Sequence, residues 1–254
     1  MQTLKIKNII IGEGLPKICL PLMGRSRDQL IHATRENLHS EADMYELRAD
    51  YLDNPGNTDE LTGILEEVRS LIGDCPLVFT LRSESEGGAC TLPCEDYVNI
   101  NKAAIRSGFV DIIDIEYAKG PETVSTLITA ARETGTFSLL SQHFTEGMPP
   151  KEQILSFFAD MQTHAADIIK FAATAQSERD LLILLDASLA MRDELSDRPF
   201  AAIAMGDKGI LSRVGGGLFG SALTFARGSE ASAPGQLEVS AVRCIMNRLH
   251  GIKI

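Results

Sequence analysis

Residues 44–82 read MYELRADYLDNPGNTDELTGILEEVRSLIGDCPLVFTLR and contain one complete strand–helix–strand pattern. The runs at 44–49 and 77–81 have the length and composition of buried strands. Between them, Asn57 can cap a helix and Gly73 can end it. The apolar residues of that helix share one face: Leu61, Ile64, Leu65, Val68, Leu71 and Ile72. The stretch therefore predicts a βαβ unit, whose two strands are parallel.

The same unit recurs along the chain. Further candidate strands lie at 18–23, 110–115, 137–142, 168–171 and 200–204. Strand starts are thus roughly 25–35 residues apart, the length of one strand and its crossover helix. An eighth strand is expected at 223–226, after a run of glycines. Because the alternation continues without a break in composition, we expect residues 1–254 to form one α/β domain.

Eight strand–helix units favour a particular architecture. We interpret the chain as a (β/α)8 TIM barrel, and an open doubly wound sheet is the alternative. Near the amino terminus, alternating Leu4 and Ile6 are followed by Ile9–Ile11. This segment predicts a short β-hairpin that closes one end of the barrel.

The composition favours a globular protein that acts on small molecules. Lys and Arg total 24 against 35 Asp and Glu, so the formal net charge is −11. This acidity argues against binding to nucleic acid or to an anionic membrane. No apolar run reaches the roughly 18 residues of a membrane span, and no signal peptide is evident. We therefore expect a cytoplasmic protein with neither membrane nor nucleic-acid partners.

The spacing of cysteine, histidine and glycine argues against bound metals and nucleotides. The five cysteines are odd in number and lack Cys-x-x-Cys spacing, which is typical of reduced thiols in the cytoplasm. The five histidines are scattered, without a His-Glu-x-x-His motif. The glycines at 215–217 come late in the chain, without the opening βαβ unit of a dinucleotide site. We expect no metal and no cofactor.

Ionisable residues inside the candidate strands indicate a functional site. Glu46, Arg48 and Asp50 alternate along one strand, so their side chains point to one face. Parallel strands are normally apolar on both faces, because a buried charge without a partner is costly. Polar residues also stand at or near the carboxyl ends of other strands: Arg82, Asp114, Glu116, His143 and Lys170. One such charge could be a satisfied ion pair, but the whole set, converging on one mouth of a barrel, predicts an active site.

Lys170 is the strongest candidate for a reactive group. Its neighbours are apolar, and Asp167, the nearest acid in sequence, would point to the opposite face of a strand. Unless a carboxylate from another strand pairs with Lys170, burial should lower its pKa. A neutral amine can form a Schiff base with a ketone or aldehyde, and His143 on the adjacent strand could move the protons. The alternative is a lysine that extends from a strand end into solvent.

Several short motifs follow one another in a characteristic order. They are YELRAD (45–50), TLRS (80–83) with EGG (86–88), DIE (114–116), SQHF (141–144), DIIK (167–170), AMG (204–206), SR (212–213), FGSA (219–222) and ASAPGQ (231–236). In this order and spacing, the chain resembles the type I 3-dehydroquinate dehydratases of the shikimate pathway, over nearly its whole length. One departure is that Phe144 follows His143 directly, whereas related sequences usually place Asp or Asn between them. The loop at 145–150 is therefore expected to lie differently.

The resemblance implies a lyase that eliminates water, with syn stereochemistry, from 3-dehydroquinate to give 3-dehydroshikimate. It implies that Lys170 forms an imine with the ring ketone, that His143 is the general acid and base, and that Glu86 orients His143. The implied substrate-binding residues are Arg213, Ser232 and Gln236 at the carboxylate and nearby oxygens, Glu46, Arg48 and Arg82 at ring hydroxyls, and Met205 as an apolar wall. The resemblance also implies a homodimer that needs no cofactor.

Two other functions stay open at this point. A class I aldolase also uses a lysine on a barrel strand, and the glycines at 215–217 could bind the phosphate of a phosphorylated sugar. A non-catalytic barrel that binds an anionic metabolite would explain the basic residues alone, but it would have no use for a buried lysine beside a histidine.

Overall fold

A computed structural model describes residues 2–252 of the chain. Its strands are β1 (Leu4–Ile6), β2 (Ile9–Ile11), β3 (Lys17–Leu22), β4 (Met44–Arg48), β5 (Leu77–Thr80), β6 (Ile112–Glu116), β7 (Phe137–Phe144), β8 (Ile168–Thr174), β9 (Phe200–Met205) and β10 (Leu223–Phe225). β1 and β2 pair in antiparallel fashion and form the predicted hairpin. β3 to β10 form one parallel sheet, in which consecutive strands from β3 to β9 lie side by side.

The parallel sheet is nearly closed into a barrel. β10 pairs with β3, so that Phe225 lies opposite Cys19. On its other side β10 lies against β9, and the Ala222 N–H donates to the Phe200 carbonyl oxygen at 2.7 Å. This order confirms the (β/α)8 barrel, and the doubly wound alternative is wrong because such a sheet reverses its strand order partway. The extent of the domain, 1–254, stays a prediction.

Helices cover the outside of the barrel. They are α1 (Arg27–Asn37), α2 (Thr58–Ile72), α3 (Cys94–Arg106), α4 (Pro121–Thr134), α5 (Lys151–Thr163), α6 (Glu178–Ala190), α7 (Ile210–Gly215) and α8 (Val239–Leu249). The Asn57 side chain accepts a hydrogen bond from the Glu60 N–H and so starts α2, as predicted. Gly135, with a φ of 76°, ends α4. Within residues 2–252, none of the helices is long and apolar enough to cross a membrane.

The interior of the barrel is apolar at one end and polar at the other. The lower layer, near the amino ends of the strands, contains Met44, Val78, Ile112, Leu139 and Ile168, with Ile6 and Ile11 of the hairpin packed against it. Two residues further along each of those strands, the same face carries Glu46, Thr80, Asp114, Ser141 and Lys170. The hairpin therefore closes the lower end with apolar side chains, and polar side chains gather in the upper half.

A second core lies between the sheet and the helices. From α2 it includes Leu61, Ile64, Leu65, Val68 and Ile72, which are the predicted apolar face except for the partly exposed Leu71. Tilted phenylalanine rings fill the space beneath α5, where Phe158 packs against Phe171 and Phe200 with ring centroids 5.7 and 5.6 Å away. This layer fixes the helices to the barrel and thereby fixes the ends of the strands.

We expect Leu65→Ala to lower the free energy of unfolding by about 2–5 kcal/mol, because a fully buried leucine leaves a cavity when it is truncated. Leu182→Ala is the matched control: Leu182 also lies in a helix but is 64% exposed, so its effect should stay within about 0.5 kcal/mol. Urea titrations followed by circular dichroism measure both. Equal losses in the two variants would contradict the packing of α2.

Candidate active site

A cavity of about 290 Å³ opens at the carboxyl ends of the barrel strands. All ten residues predicted as site residues line it: Lys170, His143, Glu86, Glu46, Arg48, Arg82, Met205, Arg213, Ser232 and Gln236. The cavity also contains residues that the sequence analysis did not select, among them Thr80, Phe225 and Ala233. The barrel thus brings the predicted residues together, while their individual roles stay predictions.

Lys170 lies inside the barrel and has carboxylate partners. It is the third residue of β8, not its last, and its side chain is 7% exposed. Its Nζ lies 3.3 Å from the Asp114 Oδ2 and 4.0 Å from the Glu46 Oε1, and 4.3 Å from the centre of the Phe225 ring. Lys170 therefore has the carboxylate partners that the sequence analysis left open, and its predicted position at the end of a strand is wrong because β8 continues to Thr174. The partners come from β4 and β6, which a search of sequence neighbours cannot reveal.

Asp114 is the main site residue that the predicted set omits. Its carboxylate accepts hydrogen bonds from Arg82 at 2.6 Å, from the Ser141 hydroxyl at 2.6 Å and from Lys170 at 3.3 Å. Burial alone would raise the pKa of Asp114, but Arg82 and Lys170 outweigh burial and hold that pKa below its ordinary value. Asp114 is therefore a buried anion next to the candidate nucleophile.

Arg82 contacts three buried carboxylates in the polar upper half of the barrel, those of Asp114, Glu116 and Glu86. Besides the bond to Asp114, its guanidinium donates to the Ser141 hydroxyl at 3.0 Å and to Glu116 at 3.2 Å. It also lies 3.4 Å from Glu86. These contacts occupy much of its donor capacity, so Arg82 holds the protein's own groups in place in addition to lining the cavity. Binding of a ring hydroxyl by Arg82 stays a prediction.

Glu46 and Arg48 extend from β4 into the cavity with partners of their own. Glu46 accepts a hydrogen bond from the Thr80 hydroxyl at 2.8 Å. Arg48 forms a two-pronged pair with Asp50, at 2.9 and 2.8 Å, and Asp50 also accepts from the Ala89 N–H at 3.0 Å. The last contact ties the end of β4 to the loop after β5, which carries the short helical turn Glu84–Glu86.

His143 and Glu86 form a buried hydrogen-bonded pair. The His143 Nδ1 lies 2.9 Å from the Glu86 Oε2, and the Gln142 side chain donates to the other Glu86 oxygen at 3.2 Å. Because Nδ1 is engaged, proton transfer to a bound molecule falls to Nε2. Gln142 and Glu86 together fix the orientation of the imidazole.

The pKa values of this pair are shifted in opposite directions. Burial raises the pKa of Glu86 to about 8; Arg82 opposes this shift, and the carboxylate of Glu116 adds to it. Burial, with the positive charges of Arg82 and Lys170, lowers the pKa of His143 well below its ordinary value. Near neutral pH the imidazole is therefore uncharged. Loss of the Glu86 proton leaves a carboxylate that accepts from Nδ1–H and frees the Nε2 lone pair to act as a base.

Arg213 is a buried cation whose contacts among residues 2–252 are backbone carbonyl oxygens and no carboxylate. Its guanidinium donates to the carbonyl oxygens of Phe225 at 3.3 Å and Pro234 at 3.0 Å. Its Nε is buried without any hydrogen-bond partner, and burial lowers its pKa to about 10. Because Arg213 lines the cavity, its buried guanidinium is suited to bind an anion there.

The elements around Arg213 leave little room to shift. Gly209, just before α7, lies so close to β9 that a Cβ there would be 2.2 Å from the Ala204 carbonyl oxygen. Gly235, with a φ of 77°, holds the next loop against Gly206 in the same way. Within that loop, the Gln236 side chain accepts from the Ser232 N–H at 2.8 Å and donates to the Ser232 hydroxyl at 3.1 Å. Polar groups of this loop therefore stand beside Arg213.

Comparisons with known proteins point to one family. A family model described as type I 3-dehydroquinase matches residues 18–253. A 3-dehydroquinate dehydratase of Syntrophotalea carbinolica is 38% identical over 98% of this chain and 99% of its own length. One from Clostridioides difficile is also 38% identical, over 98% of both chains.

Solved structures agree with these sequence matches. A type I 3-dehydroquinate dehydratase from Clostridium difficile, with covalently modified comenic acid, superposes with a TM-score of 0.95 at 37% identity and covers 98% of both chains. A 3-dehydroquinate dehydratase from Geobacillus kaustophilus gives a TM-score of 0.96 at 32% identity, over 100% of this chain and 98% of its own.

The raised pKa of Glu86 predicts a pH-dependent stability. In the unfolded chain this carboxyl ionises near 4.5, whereas in the folded protein it keeps its proton until about pH 8. Between these values the folded state binds more protons, so stability falls as pH rises, by at most about 1.4 kcal/mol per pH unit from this group. Glu86→Gln removes the group and should flatten that decline in urea titrations run across the interval. Glu66→Gln, on the exposed side of α2, is the control and should show the same pH dependence of stability as the wild type. If stability falls with pH as steeply in Glu86→Gln as in the wild type, the raised pKa of Glu86 is contradicted.

Proposed function

We propose, because the chain belongs to the type I 3-dehydroquinase family, that it converts 3-dehydroquinate to 3-dehydroshikimate through an imine on Lys170. The enzyme class follows from the family, since the curated relatives are named 3-dehydroquinate dehydratases and such enzymes are hydro-lyases. One observation carries the mechanism: a single cavity holds both a buried lysine and a buried arginine that has no carboxylate partner among residues 2–252.

Lys170 is the proposed nucleophile. Its amine adds to the ring ketone, and the resulting carbinolamine loses water to give the imine. Asp114 and Glu46, at 3.3 and 4.0 Å from Nζ, hold the amine in position, and His143 is the proposed acceptor of the proton that an ammonium must lose before it attacks. The solved relative from Clostridium difficile carries covalently modified comenic acid, which is in keeping with covalent chemistry in this family.

His143 is the proposed acid and base. Once the imine is protonated, it draws electrons from the adjacent carbon, and Nε2 of His143 can remove a proton there. The released electron pair forms the new double bond as the neighbouring hydroxyl leaves, takes up a proton and departs as water. A water molecule then hydrolyses the imine, which restores the lysine amine and releases 3-dehydroshikimate. Glu86 and Gln142 act through the imidazole, whose orientation they hold.

Arg213 is the proposed binding residue for the substrate carboxylate. The carboxylate would accept from the guanidinium and would supply the negative charge that Arg213 lacks among residues 2–252. Ser232 and Gln236 lie in the loop whose Pro234 carbonyl accepts from Arg213, which supports their proposed role in binding oxygens near the carboxylate. Fixing the carboxylate in this way also fixes where the ring ketone lies relative to Lys170.

The two other functions find less support. A phosphate-binding role for the glycines at 215–217 does not fit, because Gly217 packs against Pro16 and His250 and these glycines lie outside the cavity lining. A purely binding protein would gain nothing from a lysine held against two carboxylates and a histidine–glutamate pair. Both features serve a reaction that moves protons at a covalent intermediate.

A cytoplasmic location and a homodimer are part of the same proposal. All five cysteines are free thiols, and Cys94 and Cys244 are exposed, which suits a reducing compartment. The homodimer is implied by the family resemblance. The substrate is a small anion, and a net charge of −11 does not favour nucleic acid or an anionic membrane as a partner.

The imine gives a direct test of the function. Borohydride added together with 3-dehydroquinate should inactivate the enzyme irreversibly, because it reduces the imine to a stable secondary amine. Peptide mass spectrometry should place the adduct on Lys170. Turnover without borohydride is followed by the ultraviolet absorbance of the conjugated product, so a failed trapping experiment and a failed dehydratase assay are distinguishable. Turnover with no adduct, or with an adduct on another lysine, would contradict the mechanism.

Two variants serve as controls for this experiment. Lys170→Met should abolish both adduct and turnover. His143→Ala keeps the nucleophile, so it should still form the reducible adduct while its turnover falls by about 10²–10⁴-fold, the usual contribution of a positioned acid or base. Near-normal turnover of His143→Ala would mean that the base lies elsewhere.

Arg213→Met should lower the activity of the enzyme but raise its free energy of unfolding. Loss of the charge-assisted contact to the carboxylate should lower kcat/KM at least about 30-fold, the equivalent of about 2 kcal/mol. Because the buried charge lacks an anion in the free enzyme, its removal should also raise the free energy of unfolding without substrate. Steady-state kinetics and urea titration measure the two effects. Arg179→Met, on the exposed side of α6, is the control and should change neither; a loss of stability in Arg213→Met would contradict the unpaired state of Arg213.

A further inference from the structure

The imine mechanism changes the charge of one buried atom, the Nζ of Lys170. The ammonium is positive, the amine that attacks the ketone is neutral, and the protonated imine is positive again. In balanced form, one amine, one ketone and one proton give one protonated imine and one molecule of water. Because the Lys170 side chain is only 7% exposed, each positive form needs an anion inside the barrel. The carboxylates near Nζ therefore determine how stable the protonated imine is.

Formation of the imine also reduces the number of hydrogen bonds that Nζ can donate. An ammonium has three N–H bonds, whereas the nitrogen of a protonated imine has one. Among residues 2–252, two carboxylates lie within 4.0 Å of Nζ: Asp114 at 3.3 Å and Glu46 at 4.0 Å. Of the two, only Asp114 accepts a hydrogen bond from Nζ. The single N–H of the imine therefore has Asp114 as its acceptor, and Glu46 stays available for a ring hydroxyl of the substrate.

We propose that Asp114 is a catalytic residue, the counter-ion of the protonated imine on Lys170. The inference rests on the imine mechanism proposed above. A carboxylate at this distance favours the charged form of its partner, so Asp114 keeps the imine protonated at a pH where an imine in water loses its proton. Only the protonated imine withdraws electrons strongly enough for His143 to remove a proton from the adjacent carbon.

The contacts of Asp114 keep it an anion while the imine is formed and consumed. Its Oδ2 accepts a hydrogen bond from Arg82, and its Oδ1 accepts one from the Ser141 hydroxyl, both at 2.6 Å. A carboxylate that took the imine proton would neutralise the electron sink. Donors on both oxygens oppose this transfer, and the charges of Arg82 and Lys170 hold the pKa of Asp114 below its ordinary value.

Other ionisable groups face Nζ from the neighbouring elements. They are Cys19 of β3, Glu46 and Arg48 of β4, Arg82 and Glu86 after β5, His143 of β7 and Arg213 of α7. Burial raises the pKa of the Cys19 thiol well above its ordinary value and lowers that of His143, so both are neutral near pH 7. β10 contributes the apolar ring of Phe225, 4.3 Å from Nζ. Asp114 is thus the nearest group that can balance a positive imine.

The pH dependence of imine reduction tests the proposal. Cyanoborohydride reduces a protonated imine far faster than a neutral one. The parent is His143→Ala, in which the adduct with 3-dehydroquinate is expected to persist. Once the adduct has formed, the rate at which cyanoborohydride fixes it on Lys170 is measured by mass spectrometry across the neutral and alkaline range. In Asp114→Asn made in this parent, the midpoint of the alkaline decline should move down by about 1–3 pH units.

Glu116→Gln in the same parent is the matched control. Glu116 is also 1% exposed on β6 and also pairs with Arg82, but it makes no contact with Lys170 within 4.0 Å. This variant removes a buried charge without removing the counter-ion, so the midpoint should stay near that of the parent. Glu86, which ionises at about pH 8, is present in both variants and does not distinguish them. Easier access of the anionic reagent would change the rate at every pH and not the midpoint.

A second measurement needs no change at position 114, in case Asp114→Asn does not fold by circular dichroism. Nitrogen-15 NMR of the parent adduct, labelled at the lysine Nζ, reports the protonation of the imine directly. The nitrogen should stay protonated well above the pH at which the imine of a free alkylamine loses its proton in water. Loss of the proton at or below that pH would overturn the proposal.

The reduction experiment separates failure of this inference from failure of the imine mechanism. An unmoved midpoint in Asp114→Asn, or an equal shift in Glu116→Gln, would overturn the role of Asp114 while the adduct on Lys170 still forms. A parent that forms no reducible adduct would instead contradict the imine itself.

Discussion

The other charged groups in the upper half of the barrel depend on the buried hydrogen bond from Arg82 to Asp114, which is 2.6 Å long. An ionised carboxylate is stable inside a protein only where positive charge and donors compensate it. With Asp114 kept ionised, Lys170 finds an anion inside the barrel and does not need to reach solvent. Removal of either Arg82 or Asp114 would leave the other charge buried without its partner, and the lysine would lose its place as well.

The apolar and polar halves of the barrel depend on each other. Glu86 is held in a site that disfavours its charge, and Arg213 is buried without an anion from the described part of the chain, so both lower the stability of the free enzyme. The lower layer, the hairpin and the core beneath the helices supply the apolar burial that offsets these costs. Of these two groups, Arg213 is the one that the substrate carboxylate is proposed to pair with.

Local patterns in the sequence predict most of the architecture, because strand length, helical period and capping residues act over a few positions. α3 escapes such patterns: it begins with polar residues, and the side chain of Asn101 interrupts its buried stripe of Tyr97, Ile100 and Ala104. The partners of Lys170 escape them for another reason. Asp114 is 56 positions away and meets the lysine only because the barrel brings β6 and β8 to one interior. The order of the family motifs selected ten residues that line the cavity, but not the ion pairs among them.

The hairpin determines the route by which small molecules enter and leave the barrel. Since Ile6 and Ile11 close the lower end, the upper mouth is the route along which substrate enters and product leaves. In the proposed reaction, the water expelled by elimination is set free in this one-ended chamber, next to an imine that needs one water for its hydrolysis. If the bound substrate fills the upper mouth, the water molecule released in one step can be consumed in the next. The one water molecule that the overall reaction produces would then reach the solvent only when the product leaves the cavity.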